Sequence, residues 1–288
     1  MTGEKSARRC ADGVYRYEFA GVGEAVRDAL DDYAQNLHNQ EHLRERLARA
    51  LSGSDEWTTW FTRDRFLQEL SNPSSDLLET VDRLRDQLVG ALAAPPTARR
   101  RVRRGQEWGD ELDPDRWLVR DFAPWERVVR EVQPRRTVTI GVNLSVNAGV
   151  NREDLLYRGA AALALADVLT SRGVNVGIVA FHCVSNPTQT VGLGVGRYTL
   201  KDPLMPLDLG AVTFALCEVA WFRAVAVLGG CRHWPGTLRE GKGSAEALPA
   251  ADRAGLDYVV DTDVLGEAKA LRWLKGCLAH QETEVCHV

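Results

Sequence analysis

The stretch that decides the fold is residues 137–183, which read TVTIGVNLSVNAGV (137–150), NREDLLYRGAAALALADVLTSRG (151–173) and VNVGIVAFHC (174–183). In its first part, Val138, Ile140 and Val142 alternate within an uncharged run. A strand without charge on either face is typical of a sheet that is covered on both sides. The Asn- and Gly-rich segment after it favours a turn.

A helix and a second strand follow this turn. Asn151 is a candidate N-cap, apolar residues then recur at helical spacing, and Gly173 follows the predicted helix end near Ser171. Residues 174–183 are again apolar on both faces. A helix between two buried strands predicts a right-handed parallel crossover, with the first strand in the middle of the sheet.

Composition places the chain among ordinary globular proteins. It has 288 residues, 44% of them hydrophobic and 26% charged, with a net charge of −4. No apolar run approaches the roughly 20 residues that a membrane span needs, and no secretory signal pattern opens the sequence. Six scattered cysteines indicate reduced thiols rather than a disulfide framework. We therefore expect a cytoplasmic protein without a membrane partner.

Three regions are predicted along the chain. Residues 1–94 form a mainly helical N-terminal region, in which 13–19 is either a short strand or an aromatic anchor. Residues 95–135 form an irregular linker or strap, with an Arg-rich run and three tryptophans among Gly and Pro. Residues 136–288 form the α/β domain.

The rest of the α/β domain is predicted from shorter patterns. We expect strands at 189–199, 222–228 and 256–260, a helix from Asp208 to about 220, and a final helix after Asp263. The glycines of the first of these strands, in GLGVG (192–196), suggest a dinucleotide loop. Such a loop needs a helix directly after it, and none follows until about residue 208. We therefore interpret them as glycines of an edge strand, and we expect no cofactor.

This order of elements resembles a von Willebrand factor A-like domain. The resemblance implies a doubly wound, mostly parallel, Rossmann-type sheet with an antiparallel edge strand. In that family the first strand ends in Asp-x-Ser-x-Ser, which holds a divalent metal together with a later Thr and a later Asp. Here Asn143-x-Ser145-x-Asn147 stands in the matching place, so an amide replaces the first carboxylate. Hard cations prefer carboxylate ligands, and we therefore expect a degenerate site that holds no metal.

The two later ligands of that family are not clear in this sequence. Asp208 and Thr213 are the nearest counterparts of the Thr. The later Asp should follow the strand 222–228, where only Gly229, Gly230 and Cys231 occur.

The chain as a whole also resembles a family of actinobacterial phage and prophage proteins to which no activity is attached. The segments that carry this resemblance are GDELDPDRW (109–117), NLSVNAGV (143–150), RGAAALALADVL (158–169), Phe222-Arg223 and 257–263. It implies a phage-encoded protein of the host cytoplasm and leaves its role open.

Ligands of open parallel sheets bind at the carboxyl ends of the strands. We expect a partner-binding rim there, formed by Asn143, Ser145, Asn147, Asp208, Asp261 and Asp263. Amides and hydroxyls suit a protein surface better than acid–base chemistry. We therefore expect a non-enzymatic protein-binding or assembly module that contacts a protein partner or a second copy of itself.

Two alternatives stay open. The run of Arg99, Arg100, Arg101, Arg103 and Arg104 is typical of a nucleic-acid contact, or of a solvated linker that the acidic residues 107–115 neutralise. The second alternative is a metal-dependent enzyme. Its candidate ligands are Cys231 and His233, with Ser145 and Asp208 as further candidates.

Overall fold

The computed structural model describes residues 8–28, 75–89, 101–106, 111–112, 117–118, 123, 125–129, 136–147, 150, 152–185, 192–205, 209–218, 221, 225 and 244–285. Two compact units are present, one formed by Met1–Ala91 with Thr137–Val288 and the other by Leu92–Arg136.

The first unit is a mixed α/β fold built on a seven-stranded sheet. Its strands are β1 Arg8–Arg9, β2 Tyr15–Phe19, β6 Thr137–Asn143, β7 Asn175–Ser185, β8 Gly194–Lys201, β9 Ser244–Ala245 and β10 Tyr258–Val260. The order is β1-β2-β8-β7-β6-β10, and β9 pairs with β7. Among the strands of three or more residues, β6 pairs in parallel with β7 and β10, β2 pairs in parallel with β8, and β7–β8 is antiparallel.

The predicted β-α-β unit is confirmed. The helix α2 spans Arg152–Ser171, and it connects β6 to the parallel strand β7. Val138, Ile140 and Val142 are fully buried, as expected of a strand that has neighbours on both sides. Gly173 has a φ of 82°, a left-handed conformation that ends the helix without steric cost.

The N-terminal segment contributes to the sheet that the sequence analysis confined to 136–288. Tyr17 in β2 lies opposite Gly196 in β8, and Phe19 lies opposite Tyr198. A Cβ on Gly196 would come within 2.5 Å of the Tyr17 ring. The edge-strand interpretation is therefore wrong. β8 is an interior strand, and a glycine at 196 leaves the room that the Tyr17 ring occupies.

The longer described helices pack around α2. They are α1 Ser75–Val89, α3 Leu209–Cys217 and α5 Gly266–Val285, and all three contact α2. The opposite face of the sheet is covered by Leu248 and Leu256, which flank the short helix α4 Ala250–Arg253 and pack on Val179 and Phe181. The structure thus shows a mixed α/β fold with a mostly parallel sheet and helices packed around α2.

The predicted strand 222–228 is not present in the described residues. Val225 is the part of that range that the structure describes, and its backbone is helical. The position beside β6 belongs to β10 instead. Short apolar runs fit a buried strand and a buried helix equally well, which explains the error.

The second unit contains a small antiparallel sheet, where the sequence analysis predicted an irregular strap. Its strands are β3 Arg101–Gln106, β4 Glu111–Leu112 and β5 Trp125–Val129, in the order β3-β5-β4.

Candidate functional site

The polar corner at the end of β6 is a hydrogen-bonded cluster inside the protein. The Asn143 amide nitrogen donates to Asp261 Oδ1 and to the Glu246 carbonyl, each at 2.8 Å. The Asn143 amide oxygen accepts a hydrogen bond from the Ser145 backbone nitrogen at 3.1 Å. Every hydrogen-bonding atom of this amide thus has a partner from the chain itself.

Asp261 directly follows β10 and is the anionic centre of the cluster. Besides Asn143, its carboxylate accepts hydrogen bonds from the backbone nitrogens of Thr262, at 2.8 Å, and Leu248, at 3.1 Å. The Arg253 guanidinium donates to Asp261 Oδ2, the oxygen that also accepts from Leu248, and forms an ion pair with it. Asp261 therefore links β6, β10 and the segment around α4.

Arg158 supplies a buried positive charge on the helix side of the corner. Its side chain is 1% exposed and donates to the carbonyls of Asn143 (2.7 Å) and Ser145 (3.0 Å). It also donates to the carbonyls of Thr262 and Val264, at 3.2 and 3.3 Å. Burial lowers the pKa of Arg158 to about 10, so the group is charged at neutral pH. One guanidinium thus joins the ends of β6 and β10.

Ser145 and Asn147 also bond to backbone. Ser145 Oγ accepts a hydrogen bond from the Cys183 backbone nitrogen at 2.7 Å, and Asn147 Oδ1 accepts one from Ala245 at 2.9 Å. Asn143 and Ser145 are fully buried, which corrects their expected role as rim contacts. A partner could reach them only if the cluster opened.

The other predicted site residues lie elsewhere. Asp263 is exposed and lines a groove of about 510 Å³ beside β10 and α5, together with Lys269, Arg272 and Trp273. Asp208, Cys231 and His233 lie outside the described residues. The structure thus brings Asn143, Ser145, Asn147 and Asp261 together, while Asp263 faces a separate groove.

The described thiols are embedded in the fold. Cys10, Cys183, Cys217 and Cys277 are free, as the sequence analysis predicted for reduced cysteines. Burial raises the pKa of Cys183 and Cys217 well above the ordinary value and that of Cys277 to about 12, so all three are protonated at neutral pH. Within the described part of the chain, no three His, Cys, Asp or Glu residues form a group that could hold a metal.

The arginine run lies in the second unit. Arg101, Arg103 and Arg104 belong to β3, and Arg99 and Arg100 lie outside the described residues.

Comparison with protein families assigns the chain to one of them. The family model described as a domain of unknown function (DUF7192) matches residues 4–239. The chain belongs to the DUF7192 family. This match includes the second unit and the part of the first unit up to residue 239, so β9, α4, β10, α5 and Asp261 lie beyond it. No curated protein and no solved structure matches the chain. Across the described ranges, no helix has the length and apolar character needed to cross a bilayer.

The sequence analysis missed the two arginines that complete the corner. Arg158 directly precedes the run GAAALALA (159–166), in which every residue is small or apolar. A single charge on a helix predicted to be buried requires a partner, and this was the available signal. Arg253 carried no such signal, because its segment reads as an ordinary polar loop.

Proposed function

We propose that this DUF7192 chain is a non-enzymatic protein-binding or assembly module, with a von Willebrand factor A-like sheet whose ion site has been replaced by its own side chains. The resemblance to actinobacterial phage and prophage proteins gives the specific form of the proposal, an assembly protein encoded by a phage. Three observations support it.

The first observation concerns strand order. β8, β7, β6 and β10 are adjacent, and β8 runs antiparallel to the other three. Because β10 lies directly beside β6, we propose the residue after β10 as the counterpart of the later Asp in the family's metal motif. That residue is Asp261. A carboxylate is therefore within reach after all, beside the position where Asn143 replaces the first Asp.

The second observation carries the proposal: Asn143 and Asp261 are in direct contact, with 2.8 Å between amide nitrogen and carboxylate oxygen. Two carboxylates at this distance would repel one another and would need a cation or a shared proton between them. An amide needs none, because it donates a hydrogen bond. Arg253 and Arg158 add the positive charge that an ion would otherwise bring. The corner is thus complete without a metal.

The third observation is an exposed apolar turn after β8. Leu204 and Met205 are 81% and 62% exposed. The Leu204 backbone nitrogen donates to the Asp202 carboxylate at 2.9 Å, and Pro203 packs so closely on Gly177 that a Cβ there would lie 2.9 Å away. A fixed turn that presents two large apolar side chains suits contact with a protein. The simplest occupant is the same turn of a second copy, since a two-fold contact matches like with like.

Titration with divalent cations tests the closed corner. Calorimetry of the full chain with Mg²⁺, Mn²⁺ and Ca²⁺ should give no binding heat, and the melting temperature should not move. Saturable binding that disappears in Ser145→Ala would contradict the proposal, because it would show that the serine is an ion ligand.

Sedimentation velocity over a range of protein concentrations tests the apolar turn. The wild-type chain should self-associate, and Leu204→Ser with Met205→Ser should weaken this at least tenfold. The matched control is Lys275→Ser with Arg272→Ser, two exposed residues of α5. A wild-type chain that stays monomeric at high concentration would exclude the second copy as the occupant.

A further inference from the structure

The register of the small sheet in the second unit separates charges between its two faces. Arg103 in β3 lies opposite Arg127 in β5, and Arg101 lies opposite Val129. Residues directly opposite each other in an antiparallel pair share a face, as do residues two apart in one strand. Arg101, Arg103 and Arg127 therefore occupy one face of this sheet.

The acidic residues of the same sheet occupy the other face. Glu111 in β4 lies opposite Glu126 in β5, and Glu126 is adjacent in sequence to Arg127. Alternation along β5 puts Glu126 and Arg127 on opposite faces. The two glutamate positions are therefore on the face opposite the three arginine positions.

An aromatic residue and an exposed apolar residue share the basic face. Trp125 in β5 lies opposite Gln106 on one side and Leu112 on the other. Since 125 and 127 are two residues apart, Trp125 belongs to the same face as Arg127. Leu112, which lies opposite Trp125 and so shares this face, is 37% exposed.

Like charges placed opposite each other destabilise a sheet. Neighbouring positions among the three arginines are within about 8 Å, which is about one screening length at physiological salt, so their repulsion is only partly screened. An anion on this face would relieve the repulsion. A chain of phosphates with stacking bases would use both the arginines and the tryptophan, which is how sheet platforms bind single-stranded nucleic acid.

We propose that the face carrying Arg101, Arg103, Arg127 and Trp125 binds single-stranded nucleic acid. Phosphates lie against the arginines, and a base stacks on the tryptophan. This site is independent of the protein-binding function proposed above. It changes the residues of the nucleic-acid alternative in the sequence analysis. Arg127 and Trp125, which lie outside the Arg99–Arg104 run, are added, and Arg104 is not part of the assigned face.

Fluorescence anisotropy with a labelled 20-nucleotide DNA or RNA strand of mixed sequence tests this site, at salt concentrations from 50 to 200 mM. The full-length wild type should bind at 50 mM. The triple variant Arg101→Gln, Arg103→Gln, Arg127→Gln should bind at least tenfold more weakly and should lower the slope of log affinity against log salt by about two. Trp125→Ala should lose about tenfold without changing that slope, and Trp125→Phe should recover most of the loss.

The matched control removes the same number of charges from the other unit. Arg8, Arg27 and Arg272 are exposed there, and changing all three to Gln should leave affinity within about twofold and lower the slope by less than one. Circular dichroism melts establish that each variant is folded. The site is overturned if the wild type does not bind at 50 mM, if the control triple loses as much affinity as the first triple, or if duplex DNA or inorganic polyphosphate competes as well as single strands. The last two results would indicate attraction by overall charge or a general anion site.

Discussion

At the scale of single residues, the corner after β6 depends on a guanidinium that holds four backbone carbonyls. A carbonyl buried without a donor costs roughly 1–3 kcal/mol, and removing one partner of a buried charged group is more costly than the net contribution of the pair. Arg158 bonds to carbonyls that end two neighbouring strands. The stability of the sheet end should therefore depend on this one side chain.

Arg158→Met tests that dependence. The change keeps the apolar stem and removes all four hydrogen bonds, so we expect the free energy of unfolding to fall by about 3 kcal/mol or more. Chemical denaturation measures it. The control is Arg27→Met, an exposed arginine whose replacement should change stability by less than about 0.5 kcal/mol. If both changes lowered the free energy of unfolding equally, the end of the sheet would not depend on the Arg158 guanidinium.

Asn143→Asp tests the amide–carboxylate contact. The new carboxylate would lie beside that of Asp261, and two carboxylates at one site raise the pKa of one of them. A carboxyl group whose pKa is higher in the folded than in the unfolded state stabilises the fold at a pH below its unfolded-state pKa. This stabilisation is lost as the pH rises through the folded-state pKa. The variant should therefore be several kcal/mol less stable than wild type at pH 7 and should approach wild type near pH 4.

Divalent cations give a second measurement on the same variant. Millimolar Ca²⁺ or Mg²⁺ should raise the melting temperature of Asn143→Asp at pH 7, because an ion can separate the two carboxylates. The wild type serves as the control and should not respond. A variant that is as stable as wild type at pH 7 without added ions would contradict the structural role of the amide.

At the scale of elements, the contact between α2 and α3 is unusually close. A Cβ on Gly159 would lie 2.4 Å from the Leu216 carbonyl oxygen and 2.6 Å from Cys217 Sγ. The first of these atoms is backbone and cannot move aside by rotating a side chain. The absence of a side chain at 159 therefore sets the distance between the two helices.

Two glycines in helices provide a matched pair of variants. Gly159→Ala should lower the free energy of unfolding by about 2 kcal/mol, because overpacking forces backbone shifts. Gly276→Ala in α5 should raise it by about 0.5–1 kcal/mol, since a Cβ there meets no atom within 4 Å and alanine favours a helix. Thermal and chemical denaturation give both values. An unchanged or raised stability of Gly159→Ala would contradict the close contact between α2 and α3.

Local patterns made β6, α2 and β7 predictable. Turn and cap signals mark their limits, such as the Asn- and Gly-rich segment after β6 and Gly173 after α2, and together the three elements indicated the parallel centre of the sheet. The range 222–228 is short and mostly apolar, and such a run fits a buried strand and a buried helix equally well; at Val225, the position that the structure describes, the backbone is helical. Arg158 and Arg253 could not be paired with their partners from sequence alone, because Arg158 lies 104 residues from the Thr262 carbonyl that it contacts.

At the scale of the whole molecule, the first unit is assembled from both ends of the chain. Tyr17 stacks edge-on against Tyr198 with ring centroids 6.2 Å apart, and Phe19 stacks on the same ring at 5.3 Å. Arg16 bonds to Asp252 through two hydrogen bonds of 2.8 and 2.9 Å. These contacts bury Tyr17 and Phe19 of β2 in the core. The predicted α/β domain, residues 136–288, does not include β2.

Fragments test this assembly. Residues 136–288 expressed alone lack β2 and α1, so β8 loses a neighbour and α2 loses a helix that packs on it. We expect this fragment to unfold without a cooperative transition and to give broad amide resonances. The control replaces 95–135 by a flexible linker of equal length, and it should unfold cooperatively because the second unit is compact on its own. Cooperative unfolding of 136–288 would show that these residues fold without β2 and α1, as the domain limits predicted from the sequence imply.

The pairing of β2 with β8 also has a consequence for how the protein is made. Tyr17 and Tyr198 are 181 residues apart, so a ribosome that adds roughly 5–20 residues per second needs about ten seconds or more between them. During that time β2 can pair with β1 but lacks β8, its neighbour on the other side. β2 can therefore join β8 only after the strand that lies 181 positions later has been synthesised, and proteins dominated by such distant pairings fold slowly.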